Sequence, residues 1–558
     1  TGDSATWQFV AGINSAGSAR ISIDGVDKGR FDLSSPISGT TNFTRALSFG
    51  GLGAGPHVLS VYVARGNYIS VDRFASPGVA PFHTPTPAGG LIRIEEDDSA
   101  LRYNGVPLAV TKPSWSGGTN AFVSDGGYAA SSTISDTVSL TFTGTWINLG
   151  YLAVANAGLA EVFIDGVSRG VIDTFGNGTY PRNSVYAGLS AGGHTLSVTV
   201  LGARNAFASF PGNFYLDYID VWDGSPVADG LFEETSDRVW YSDDWVQAAN
   251  VEANGGTYAR SQFSSGSVWF AFTGDSVSYQ FFNGFNLAGV MHVMIDGAYR
   301  DRFDLASPLT GTTNFTRLIS YGGLGAGPHI LTAYVFRNYF ASVDFFATPG
   351  AAPFAAPVTR TGIIRYEEDN PALRYNGVPY TATRLTWGES GNGMASDGYV
   401  RVSATLSDVV SLAFSGTWTS VGYVARINGG RAEIYIDGAS RGVIDTYANG
   451  DEPRSAVFTG LSAGPHSISL TVLGTRNAFA SGPGNLHLDY IDVWDGSSLG
   501  DGVLDESNPG MVYSGRCGRL ADAAAEGGQH ARSNFATGAT WAAFSGDSVR
   551  LVSLAGFA

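Results

Sequence analysis

Residues 188–224 read GLSAGGHTLSVTVLGARNAFASFPGNFYLDYIDVWDG. A Gly-rich turn leads into a strand in which Leu196, Val198 and Val200 alternate with Thr195, Ser197 and Thr199. A loop follows, and Leu216-Asp217-Tyr218-Ile219-Asp220-Val221-Trp222 closes the stretch as a second strand. The unit returns almost verbatim at 460–496 and more loosely at 51–74 and 323–346. Four copies of one strand–loop–strand ending imply four copies of one β-domain.

Displacing the sequence by 272 residues superposes it on itself without a gap: Thr41-Asn42-Phe43-Thr44 falls on Thr313-Asn314-Phe315-Thr316, and Leu101-Arg102-Tyr103-Asn104-Gly105 on Leu373-Arg374-Tyr375-Asn376-Gly377. Each period holds two related domains, here called A and B. The order along the chain is the C-terminal half of a B (1–77), A (92–225), B (230–350), A (364–497) and the N-terminal half of a B (500–558). Short alternating runs separated by Gly, Asn, Asp and Pro clusters, with no sustained helical period, predict an all-β chain of tandem jelly-roll β-sandwiches in an extended array. Ile-Asp-Gly at 23–25, 164–166, 295–297 and 436–438 marks hairpin corners. The Pro/Ala-rich linkers 78–90 and 350–362 are expected to be semi-stiff. Half a sandwich leaves core and strand edges bare, so the ends imply head-to-tail continuation, as an excerpt of a longer polymer or as halves that complete each other between copies.

Composition narrows the partners. The chain has 558 residues, a formal net charge of −17 and 15% charged residues, and its only lysines are Lys28 and Lys112. That balance argues against nucleic acid and anionic lipid. Cys517 is the only cysteine, so no intrachain disulfide forms. No run approaches the roughly 20 apolar residues of a membrane-spanning helix, so membrane insertion is not expected.

Acids sit at matching places on opening and closing strands: Glu96, Glu234 and Glu368 on the first, Asp217, Asp344 and Asp489 on the last, with Asp220 and Asp492 farther along. If first and last strands are neighbours, these carboxylates converge. Hard oxygen ligands suit Ca²⁺; bonds to backbone amides or arginine are the alternative. No other cofactor is required.

The acidic first strand, the Tyr-Asn-Gly and Tyr-Ser-Gly turns (103–105, 513–515), the Ile-Asp-Gly hairpin, the Gly-x-His-x-Leu strand and the final Asp-Tyr-Ile-Asp-Val strand occur together. In combination they resemble the galactose-binding-like jelly-roll modules that serve as carbohydrate-binding modules on extracellular bacterial proteins. The resemblance implies a structural Ca²⁺ tying first strand to last, and glycans held in a loop-end groove by an aromatic platform with Asn or Arg. The B domains depart from it, with Asp-Phe-Phe or Asp-Arg-Phe where the A domains carry Asp-Tyr-Ile.

Candidate sugar-stacking residues are Trp115, Trp387 and Trp245, whose alternative role is core or inter-domain packing. Arg204-Asn205 and Arg476-Asn477 recur in the loop before the closing strand, as hydroxyl ligands or loop braces. His57, His194, His329 and His466 each open the same strand without Cys or His partners, which suits structural hydrogen bonding better than a metal site or a triad. No catalytic pair is evident. The expected function is a non-enzymatic extracellular or cell-surface structural repeat, a segment of a fibre, sheath, stalk or adhesin assembling with copies of itself. The alternative is a multivalent carbohydrate-binding protein.

Overall fold

The computed structural model describes residues 4–11, 18–33, 43–65, 69–75, 90–110, 114–224, 229–236, 238–242, 245–261, 266–283, 289–305, 315–337, 340–351, 353–354, 363–382, 386–496, 511–513, 517–525, 528–533, 540–542, 549–551 and 553. Of the linkers 78–90 and 350–362, residues 78–89, 352 and 355–362 lie outside these. The chain forms two compact units, Thr1–Phe282 with Gly289–Phe303 and Thr316–Pro357, and Asn283–Ala288 with Asp304–Phe315 and Val358–Ala558.

As the alternating pattern predicts, the described residues are all-β apart from two single-turn 3₁₀ segments. Between residues 91 and 222 two antiparallel sheets face each other. One runs Tyr180–Ala187, Trp146–Ala153, Phe214–Trp222, Gly127–Ser131, Ser116–Thr119, with the opening strand Leu91–Glu95 also on Phe214–Trp222. The other runs Val167–Asp173, Leu159–Ile164, Gly193–Val200, Thr137–Thr143, Arg102–Tyr103. Leu196, Val198 and Val200, the apolar half of the diagnostic strand, pack between the sheets with Val162, Leu149, Phe214 and Ile219. The polar half faces outward, as a period of two requires.

The hairpin corners behave as the Ile-Asp-Gly triplets suggest, with one refinement. Both central residues adopt positive φ: Asp165 at 53° and Gly166 at 74°, and Asp437 at 51° and Gly438 at 76°. This is the two-residue turn whose twist matches that of the flanking strands.

The rest of the first unit holds most of residues 230–350 and the strands of residues 5–75. The former has an aromatic core in which Phe270 stacks on Phe346 at 4.5 Å and Tyr279 on Phe346 at 4.8 Å. The latter form two three-stranded sheets, Phe43–Phe49, Ala5–Ala11, Arg73–Ala75 and Val26–Asp32, Ser18–Ile23, Leu59–Arg65, closed over Trp7, Phe9, Ala19, Ile21 and Leu33. In the second unit the sandwich at 363–494 repeats the arrangement of 91–222. Two further strand pairs follow, Met511–Tyr513 with Thr540–Ala542 and Cys517–Ala521 with Gln529–Ser533.

Candidate functional site

First and last strands do lie side by side. Glu95 pairs with Tyr218 and Leu91 with Trp222; Glu367 pairs with Tyr490 in the second A sandwich. The carboxylates that converge are only partly those expected. Oxygens of Glu95, Glu96 and Asp125 lie within 4.8 Å of one another, and so do those of Glu367, Glu368 and Asp397. Ser124 ties this cluster to the closing strand: its amide donates to Asp217 Oδ1 at 2.9 Å and its hydroxyl to Glu95 Oε1 at 2.8 Å. Ser396 repeats the link, its amide donating to Asp489 Oδ1 at 3.0 Å and its hydroxyl to Glu367 Oε2 at 2.6 Å. Asp125 and Asp397 escaped the sequence reading. Their signal was the repeated Ser-Asp-Gly at 124–126 and 396–398, a turn in which Asp125 takes φ 48°.

Crowding and burial show in the acidity. Burial, with the Glu95 carboxylate nearby, pushes Asp217 well above the usual carboxylate range. Asp489 is pushed up to about 7 by burial and by Asp397. The donor set is oxygen-only and carboxylate-rich, and like charges repel within it. These residues fit a hard divalent cation.

Asp220 and Asp492 leave the cation set. Each is held by arginine: Arg93 Nε and Nη2 reach the two oxygens of Asp220 at 2.8 and 3.0 Å, and Arg365 those of Asp492 at 2.8 Å each. Asn148 adds a third donor to Asp220 at 3.1 Å. These carboxylates are spent on ion pairs. In the domain at 230–350, Glu234 accepts from Gln247 and Thr257, and Asp344 from Asn254 and Gln280. Burial nonetheless lifts Asp344 to about 7. Asp217, Asp489, Glu234 and Asp344 belong to neither three-carboxylate group.

The three tryptophans are core residues. Trp115, Trp387 and Trp245 are at most 2% exposed, and each meets a buried tyrosine, Tyr103, Tyr375 and Tyr241, with ring centroids 4.8–5.0 Å apart. No face is left for a sugar. The alternative role, core packing, is the one these rings take, as their large apolar area favours.

Arg204-Asn205 and Arg476-Asn477 do stand at one sandwich end, where they brace the loop. Asn205 Nδ2 donates to Asp173 Oδ2 at 2.6 Å and its Oδ1 accepts from the Phe207 amide at 2.9 Å. Asn477 repeats both bonds, to Asp445 at 3.0 Å and from Phe479 at 3.1 Å. Arg204 lies 5.6 Å from the Phe210 ring centroid, and Arg476 donates to the Gly482 carbonyl. The exposed aromatics here are phenylalanines the sequence reading passed over: Phe210 and Phe479 are each 80% exposed. Phe207 lies over Phe175, and Phe479 over Tyr447, at 6.4 Å.

The four histidines are structural hydrogen-bonders. His194 Nδ1 stands 2.6 Å from Asp165 Oδ2 and its Nε2 2.8 Å from the Ser190 carbonyl, while Asp165 Oδ1 accepts from the Thr195 amide. His57, His329 and His466 repeat the clamp with Asp24, Asp296 and Asp437.

No family model matches the chain, and no curated protein does. Solved structures do. The chain is similar to the CBM36-1 domain of a multidomain xylanase from the hindgut metagenome of Trinervitermes trinervoides, at 19% identity over 25% of this chain and 99% of that one, TM-score 0.17. It is also similar to a two-domain esterase active on acetylated mannans, at 16% identity over 26% of this chain and 41% of that one, TM-score 0.19. A third similarity is to the CBM22-1–CBM22-2 tandem of Paenibacillus barcinonensis Xyn10C, at 7% identity over 48% of this chain and all of that one, TM-score 0.17. Identities and scores at this level carry no function across.

Proposed function

We propose that this chain is a non-enzymatic extracellular protein that binds polysaccharide multivalently, through the loop end of each A sandwich. The observation that carries the reading is the exposed ring of Phe210 and of Phe479, each beside a braced Arg-Asn pair and an Asp. An aromatic face packs on the C–H face of a sugar while amide, guanidinium and carboxylate meet its hydroxyls. Two such ends on one chain raise affinity by effective concentration. Glu95, Glu96 and Asp125, with Glu367, Glu368 and Asp397, hold structural Ca²⁺ in this reading, fixing the opening strand beside the loop that carries Ser124 or Ser396. Affinity electrophoresis of the whole chain through a panel of polysaccharides tests the proposal. Retardation by at least one polysaccharide, lost in Phe210→Ala/Phe479→Ala, supports it; unretarded migration through all of them refutes it.

A structural role is the second reading, favoured by docking between neighbouring domains. Arg93 lies 3.5 Å from the Tyr218 ring centroid and 5.3 Å from that of Trp269, joining the sandwich at 91–222 to the domain at 230–350. Arg365 repeats this with Tyr490 at 3.5 Å and Trp541 at 5.7 Å. Gly297 approaches Asn183 so closely that a Cβ would lie 2.3 Å from its carbonyl oxygen. Stiff junctions of this kind suit a fibre or stalk.

A further inference from the structure

The two loop ends are built from different residues. In the repeat, Phe479 corresponds to Phe207, and the position of Phe210 is taken by Gly482. Phe210 holds its ring out at 80% exposure. Gly482, at φ 75°, has no side chain to hold out, and a Cβ placed there would stand 3.5 Å from Asn428 Cβ. The loop rests on residues 427 and 428: the Ser481 amide donates to the Ile427 carbonyl at 2.8 Å, and the Asn485 amide to the Asn428 carbonyl at 2.8 Å.

A second exchange lies beside the first. In the sandwich at 91–222, the Tyr215 hydroxyl donates to Asn156 Oδ1 at 3.1 Å and accepts from Asn213 Nδ2 at 2.7 Å, while its ring meets that of Tyr128 edge-on at 5.2 Å. The sandwich at 363–494 keeps both asparagines, as Asn428 and Asn485, but has His487 for Tyr215 and Val400 for Tyr128. An imidazole is shorter than a phenol, so the hydroxyl that joins the two asparagines has no counterpart. Asn428 Oδ1 and His487 Nδ1 are both buried, and neither has a hydrogen-bond partner among the described residues. His487 is 2% exposed, and burial pushes it down to about 4, which leaves the ring neutral near neutral pH. Arg426 and Asp451 nearby hold each other at 2.8 Å. Buried polar atoms without partners are costly, and a pair of them calls for a small polar group.

We propose that the second A sandwich receives a hydroxyl group of the polysaccharide beside Gly482, between Asn428 Oδ1 and His487 Nδ1, where the first sandwich carries its own Tyr215 hydroxyl. The arriving group reproduces the bonds of the phenol. It donates to Asn428 Oδ1, and it meets Nδ1 in either tautomer, because a hydroxyl both donates and accepts. Gly482 puts no side chain over Asn428, and Phe479, 80% exposed on the same loop, packs on the face of the sugar. The first loop end thus grips a sugar by its face, and the second also reads a hydroxyl. The inference rests on the loop-end reading of polysaccharide binding and adds Asn428, His487 and Gly482 as residues that set specificity.

The test is affinity electrophoresis of the intact chain carrying Phe210→Ala, through polysaccharides that retard the parent, so that the second loop end reports alone. In that background His487→Tyr supplies the phenol of the first sandwich. It is expected to weaken retardation about tenfold, the worth of a buried hydrogen bond displaced, with a melting temperature at least as high as before. Asn428→Ala removes the acceptor and is expected to weaken retardation as well. In the parent, with isotope-labelled histidine, a retarding polysaccharide is expected to move the His487 Nδ1 resonance. Equal retardation of all these Phe210→Ala chains, or an unmoved Nδ1 resonance, overturns the inference: the place then holds only water, and the loop-end reading stands. Retardation abolished by Phe210→Ala alone overturns it too. A parent that no polysaccharide retards refutes the loop-end reading, and this inference with it.

Discussion

Arg93 grips Asp220 with two parallel hydrogen bonds while its guanidinium carbon lies 3.5 Å from the centroid of the Tyr218 ring. Side chains of both charged partners are at most 3% exposed, and Trp240 and Trp269 of the next domain close over the same guanidinium. Replacing Arg93 by Leu strands the Asp220 charge in a dry interface. The expected loss is about 3–5 kcal/mol in denaturant titration, the usual cost of breaking one side of a buried pair. Arg93→Lys keeps the charge, loses the fork, and should fall between. A loss below about 1 kcal/mol for Arg93→Leu would mean the pair is solvated, as surface pairs are.

The histidine clamps make stability depend on pH. Both ring nitrogens of His194 face acceptor oxygens, so both bonds form only in the imidazolium. Hydrogen bonds to backbone carbonyls and to Asp raise the pKa of His57, His194 and His466, and the same His and backbone N–H donors lower Asp24, Asp165 and Asp437. A raised His stabilises fully below its unfolded value of about 6.5, and the contribution is lost as pH climbs through the folded value. The lowered aspartates stabilise above about 3.9 and lose their contribution as pH falls through theirs. Melting temperature is therefore expected to peak in mildly acid solution and decline above neutrality. His194→Gln with His466→Gln should flatten the alkaline decline, and an unchanged pH profile in that variant would place its origin elsewhere.

Repeats, strand alternation and hairpin corners carried the fold in the sequence, because each depends on local spacing. The pairing of first and last strands stood only as a condition in the sequence, and the structure supplies it, Glu95 opposite Tyr218 and Glu367 opposite Tyr490. Side-chain destinations did not follow. Asp217 and Asp220 are three residues apart on one strand, yet one meets Ser124 and the other Arg93, a choice made by strands distant in sequence. Trp115, offered as a sugar-stacking ring, is core, and Phe210, to which no role was given, stands 80% exposed before Pro211. Exposure depends on which neighbours fold over a ring, and one sequence does not carry that.

Calcium is expected to relieve the crowded carboxylates. Asp489 lies at about 7 and Asp217 above the usual range, so folding takes up protons there and stability falls as pH rises from about 4 through 7. A bound cation opposes that fall, and at a hundredfold excess over its Kd it adds about 2.7 kcal/mol. Chelation should thus lower the melting temperature by several degrees at pH 8 and hardly at all at pH 5. The two A sandwiches should differ. Buried Arg401, where the first has Ala129, stands 3.9 Å from Glu368 and 2.6 Å from Glu389. It already neutralises part of the second cluster, so Glu96→Gln should remove more of the calcium effect than Glu368→Gln. Identical melts with and without chelator at pH 8 would rule the ion out.

Tryptophan and phenylalanine substitutions should separate stability from binding. Trp115 is 2% exposed and packs edge-on to Tyr103 within a core that includes Val138 and Phe214. Trp115→Ala empties that space and is expected to cost about 3–5 kcal/mol. Below the lowered melting temperature its retardation by polysaccharide should match the parent's. Phe210→Ala removes a ring that is 80% exposed and should change stability by about 0.5 kcal/mol or less. If the loop end binds sugar, that substitution weakens retardation while the melt stays put. Phe479→Ala should do the same through the second sandwich, and the double variant should lose more than either alone, because two weak ends on one chain reinforce each other. Equal retardation of parent and double variant would return the loop-end Arg-Asn pairs to a purely bracing role.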